Sequence, residues 1–175
     1  MIDSKIKLFQ DKRARPRIRP RKTALDWTLA ILTLDFLLAA AGYAAWKYAT
    51  LPPTIGTRFD DRGQPIQTGV SWEVFVVPAA AILVCLVLWV LQRFPWISNT
   101  LVVITEQNAE RQYQLINRLL SWIGLTIAVS FTLLTYQQIQ QAQGNPGGMG
   151  AFWMVVILLE PVLIVWYLIT SFREA

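Results

Sequence analysis

The chain has no histidine at all and a single cysteine, Cys85. Without histidine, Ser-His-Asp triads, histidine proton relays and His-ligated zinc sites are excluded. One cysteine cannot form an intramolecular disulfide or a cysteine-based metal cluster. No glycine-rich phosphate loop of the Walker A or Rossmann type is present. The run G-N-P-G-G-M-G at 144–150 is not a phosphate cradle, because no Lys or Ser/Thr follows it at a useful distance, and it reads as a flexible turn between helices. No catalytic residue, cofactor or metal is therefore expected, and the sequence gives an enzyme little support.

What the chain does have is four apolar stretches, at about 24–46, 72–91, 118–137 and 150–172. Each is close to the roughly 20 residues that a helix needs to cross about 30 Å of hydrocarbon. Backbone groups find no partners in lipid, and the stretches lack the alternation of barrel strands, so they should be helices. The expected fold class is an all-α integral membrane protein: a basic, extended and mobile head (1–22) followed by a four-helix membrane domain (23–175).

Orientation follows from the sixteen Lys and Arg. Nine fall in the head, at positions 5, 7, 12, 13, 15, 17, 19, 21 and 22. That bias keeps the head cytoplasmic, and four crossings return the C-terminus to the same side. Segments 47–71 and 138–149 are then outer loops and 92–117 is cytoplasmic. The small-residue run Ala39-Ala40-Ala41 resembles a cleavage site, but the long head and the interruptions at Asp26 and Asp35 favour an uncleaved first helix. Trp27, Trp46, Tyr48, Trp72, Trp153 and Phe172 fall near helix ends, as interfacial anchors do. The expected setting is a bacterial cytoplasmic (inner) membrane or another energy-transducing membrane.

Two carboxylates lie near the middle of an apolar stretch, Asp35 in the first and Glu160 in the fourth. An ionised carboxylate facing lipid at that depth costs several kcal/mol, so each is expected to face the bundle interior or a wet cavity, or to be protonated. Apart from Arg118 at the very edge of the third, no base lies within the stretches to pair with them, leaving hydroxyls such as Thr33, Thr126, Ser130, Thr132 and Thr135 as candidate partners. Pro161, directly after Glu160, frees the carbonyl of Ile157, and Pro78 is placed to kink the second helix in the same way. Asp26 reads as a first-turn residue that complements the helix dipole.

The first outer loop, L-P-P-T-I-G-T-R-F-D-D-R-G-Q-P-I-Q-T-G (51–69), holds three Pro and three Gly and is expected to form an ordered set of turns. Its Leu51, Pro52, Ile55, Phe59, Asp60, Gly63 and Pro65, followed by Pro78 in the next helix, resemble the membrane domain of unknown function 1648, which also forms the N-terminal part of SdpI-type toxin-immunity and signalling proteins. The resemblance continues through I-T-E-Q-N-A-E-R-Q-Y (104–113) and covers about residues 50–140. Many members carry Pro-x-His where this chain has Gly56-Thr57-Arg58, so histidine-based chemistry does not transfer. The family carries no general activity; its SdpI-type members imply immunity or signalling. Leu51, Pro52, Arg58, Phe59, Asp60 and Gly63 are the candidate outer-loop interaction residues.

From Glu106 the second cytoplasmic segment reads as a helix leading into the third span, with Thr105 and Asn108 as caps. Glu106, Asn108, Arg111 and Tyr113 are its candidate contact residues. Partners expected from the sequence are the bilayer, anionic lipid through residues 5–22, and a membrane protein or a second copy of the chain; nucleic acid is disfavoured because no aromatics interleave with the bases. Two functions remain: a non-enzymatic interaction, sensing, immunity or assembly factor, or a small proton- or cation-coupled carrier or channel subunit using Asp35 and Glu160.

Overall fold

Helix α1 (Ala24–Tyr48) begins where the sequence supplies a cap: Thr23 N–H donates to Asp26 Oδ2 at 2.7 Å, and Asp26 N–H donates back to Thr23 Oγ1 at 3.4 Å. This reciprocal box satisfies donors at a helix start and gives Asp26 a sharper role than dipole complementation alone. The structure, a computed structural model, describes residues 15–60, 65–100, 102–145 and 150–173, with backbone alone at 58–59 and 150–158. After α1 come strands β1 (Thr54–Phe59) and β2 (Pro65–Val70), a 3-10 turn (Ser71–Phe75), α2 (Val76–Arg93), a second 3-10 turn (Pro95–Ile97), α3 (Ala109–Ala142) and α4 (Gly150–Arg173).

Three helical segments, Ala24–Tyr48, Ser71–Arg93 and Ala109–Ala142, are long and apolar enough to cross a membrane, and α4 is a fourth helix. Less than a third of each apolar window is buried inside the protein. Leu38, Leu83 and Val90 are each more than half exposed. So much uncovered apolar surface suits a protein whose solvent is lipid.

At 34 residues α3 is about 51 Å long, well beyond the hydrocarbon thickness, and it is the spine of the fold. The third span and the helix expected from Glu106 are one rod, which also takes residues 138–142 out of the expected outer loop. Helices α1, α2 and α4 each pack along α3; α1 and α2 pack far less on one another, and α1–α4 is not a substantial contact. Inward positions on α1 are Leu29, Thr33, Leu37, Ala40 and Ala44, spaced for one helix face, and Leu37 meets Ala81, Cys85 and Ala128 in the mid-bundle core. Pro78 sits in the first turn of α2, where a missing N–H costs little, so it makes no break at mid-helix. Pro161 does lie inside α4.

The all-α expectation needs one amendment. Residues 54–59 and 65–70 form an antiparallel hairpin, with Thr54 opposite Val70, Ile55 opposite Gly69 and Gly56 opposite Thr68, and with the register broken around Arg58. A lone hairpin is marginal in water. This one is pinned by Ile55, 2% exposed, which packs with Ala44, Val74 and Ile139, while Gln138 Nε2 donates to Gly56 O at 3.4 Å. The hairpin thus caps one end of the bundle. Residues 15–22, the α2–α3 connection, the start of α3 and the end of α4 gather at the other, basic end.

Candidate functional site

Asp35 lies on the outward, exposed face of α1, not toward the bundle interior as expected. The inward face is fixed by Leu29, Thr33 and Leu37, and Asp35 is turned about 200° from Thr33 around the helix. Glu160 is half-buried on α4. Because α1 and α4 make no substantial contact among the described residues, the structure does not bring the two carboxylates together.

Nor do the proposed hydroxyl partners turn to them. Thr33, Thr126, Ser130 and Thr135 each donate to the carbonyl one turn earlier in their own helix, at 2.7–3.0 Å. Thr132 Oγ1 bonds Ala128 O at 2.7 Å and Phe36 O at 2.9 Å, which ties α3 to α1. A Ser or Thr in a helix satisfies itself locally unless a better acceptor is within reach.

The outer-loop candidates share the hairpin end. Leu51 packs against its core, Pro52 is half-buried, Arg58 and Phe59 belong to β1, and Asp60 follows it, exposed. Gly63 lies outside the described residues, as do 146–149 of the Gly-rich turn.

The candidates of the second connection separate. Glu106 and Arg111 are exposed. Asn108 Oδ1 accepts from Thr105 N–H at 2.9 Å, and its Nδ2 donates to Val103 O at 3.0 Å, so it pins the turn before α3 while making no side-chain cap to the helix itself. Tyr113 is fully buried among Ile104, Ala109, Ile116 and Tyr167. Its hydroxyl reaches out of that core and donates to Pro16 O at 2.9 Å. Burial pushes this phenol above its ordinary pKa, with Arg15 nearby acting in the opposite direction.

That hydrogen bond belongs to a latch that holds the head. Arg15 Nη1 donates to Ser98 O at 2.6 Å and Trp96 O at 3.3 Å, and Gln114 Nε2 donates to Arg21 O at 3.5 Å. Arg15 is 5% exposed. Residues 15–22, which form no helix or strand, thus lie bonded against the body of the protein, while residues 1–14 lie outside the described part. Below the latch, Gln112 and Ser171 exchange bonds: Gln112 Nε2 donates to Ser171 O at 3.0 Å and Ser171 Oγ to Gln112 Oε1 at 2.8 Å, which locks α4 to α3.

Folding the head back closes a cavity of about 450 Å³ at the basic end. The head contributes Arg19, Pro20, Arg21 and Lys22; α1 contributes Asp26 and Ala30; α2 contributes Trp89, Gln92 and Arg93; α3 contributes Gln114, Asn117 and Ser121. Four bases face one carboxylate, and that carboxylate is already engaged. Asp26 caps α1, and its Oδ1 lies 3.7 Å from Arg118 Nε, within an ion pair but too far for a hydrogen bond. Asn117 Oδ1 is buried with no hydrogen-bond partner among the described residues. The sequence marks the bases of the head as an anionic-lipid contact but not the cavity, because Trp89, Gln92 and Arg93 on one face of α2 mean nothing until the head is known to cross over them.

These features define a mostly helical, multi-pass membrane-associated protein with a hairpin cap at one end and a basic cavity at the other. Comparison with known proteins finds no matching family, no matching curated protein and no matching solved structure.

Proposed function

We propose that the chain is a non-enzymatic membrane interaction protein, of the sensing, immunity or assembly kind, that engages a partner helix within the bilayer through the outward face of α1. The observation that carries this reading is the exposure of Asp35. It lies near the middle of an apolar 25-residue helix, on a side that no other helix covers among the described residues. A carboxylate held against lipid at that depth costs about 2.5 kcal/mol or more, a cost removed when a partner supplies a donor. Ala39 and Gly42, on the same exposed side, let another helix approach closely.

In this reading the chain crosses the membrane four times, with the basic end and both termini cytoplasmic and the hairpin outside. A bacterial inner membrane or another energy-transducing membrane is the proposed setting. The loop residues that resemble the domain of unknown function 1648 agree with an immunity or signalling role and are carried here as part of the proposal.

The test places a photo-crosslinking residue at Ala39 or Gly42, with Val87 on the lipid face of α2 as control, in the native membrane. A protein adduct of one defined mass from the α1 positions, absent from Val87 and lost with Asp35→Leu, is expected. Its mass distinguishes a second copy from another membrane protein. Lipid adducts alone, or a protein adduct indifferent to Asp35→Leu, would overturn the proposal.

A further inference from the structure

The cavity at the basic end has a shape and a charge that together specify a ligand. Its walls are α1 and α2, which both lean on α3 while packing far less on one another, so the cleft between them faces the surrounding lipid. Deeper in, past Ala30 and Trp89, the space shrinks to about 10 Å³, room for about one water. The cavity therefore ends a turn or two below the rim and is no passage through the bundle. Its depth matches the headgroup layer: Trp27, just above it, is exposed and stacked under Lys22 at 4.7 Å, an arrangement suited to the membrane surface.

Arg19, Arg21, Lys22 and Arg93 line this space. Guanidinium groups offer forked donors that match phosphate oxygens. The one carboxylate, Asp26, is drawn away to Thr23 and Arg118 and does not cancel them.

We infer that this cavity binds the phosphate headgroup of an anionic phospholipid, with its acyl chains running along the lipid-facing cleft between α1 and α2. The phosphate sits among Arg19, Arg21 and Arg93. The inference is independent of the partner proposed for Asp35, since the two sites lie on different parts of the molecule.

Native mass spectrometry of the full chain, delipidated in detergent and titrated with phosphatidylglycerol, phosphatidic acid, phosphatidylcholine or inorganic phosphate, tests it. Phosphatidylglycerol is expected to bind at least about tenfold more tightly than phosphatidylcholine. Arg19→Gln/Arg93→Gln should abolish that preference, whereas Arg17→Gln/Arg173→Gln, which removes the same charge from exposed positions outside the cavity, should change affinity by less than about twofold. Arg21→Gln alone should lower that preference severalfold, for phosphatidylglycerol and phosphatidic acid alike, which decides the matter even if the arginine pair fails to fold. Equal losses from both arginine pairs would mean diffuse charge attraction. Equal binding of phosphatidylcholine, or displacement of the lipid by millimolar inorganic phosphate, would likewise overturn the inference, the latter in favour of a soluble anion.

Discussion

Arg15 was counted in the sequence as one base among nine in a topology-setting run, yet it is the most buried of those described. What separates it from Arg17 or Arg19 is the pair of backbone carbonyls, of Trp96 and Ser98, that the α2–α3 connection turns toward it. Nothing local in the sequence marks that difference. Hydrogen bonds from a charged donor are worth about 1.5–3 kcal/mol, so Arg15→Ala should lower stability by about 2 kcal/mol in micelles and free the head. Limited trypsin digestion reads the second effect: cleavage after Arg17 should accelerate severalfold, and an unchanged rate would mean that the latch does not hold the head in solution. Asp35 shows the same limit. Its type and depth were readable, but α1 is apolar on nearly every side, so no contrast told the inward face from the outward one.

At the level of elements, the helices were readable because length and hydropathy suffice to mark them. The hairpin was not, although Thr54, Ile55, Thr57 and Val70 favour strands, because Pro and Gly scattered through 51–69 read as turns. Its junction with α2 depends on Gly69, where an added Cβ would overlap the Glu73 carboxylate. That carboxylate accepts the Val70 N–H at 3.1 Å, so Gly69→Ala should push Glu73 off and release the bond. The loss of about 1 kcal/mol predicts roughly fivefold faster hydrogen exchange at Val70 with little effect on the helices. Unaltered exchange there would show that Glu73 is not what closes the hairpin.

For the whole molecule, the decisive arrangement is the separation of a hairpin end from a basic end along α3. If the chain crosses a membrane as proposed, those ends lie in different compartments. In a Cys85→Ala background, which removes the one native thiol, Thr50→Cys should react with an impermeant maleimide from outside intact cells and Asn99→Cys only after permeabilisation. Both positions are exposed, so access and not burial decides the outcome. Labelling of both from one side would overturn the four-span topology.

The amino-acid sequence by itself determined that this is a helical membrane protein with a basic head and two carboxylates at mid-span, because hydrocarbon admits few backbone solutions and charge at depth is costly. Tertiary structure alone decided which way Asp35 points, that the hydroxyls of α3 serve their own helix, that Tyr113 and Arg15 latch the head, and that four bases surround one cavity. Each of these depends on how helices rotate about their axes and where a connection folds back. Residues far apart in the chain fix those choices, through contacts such as Gln112 with Ser171 and Arg15 with Ser98.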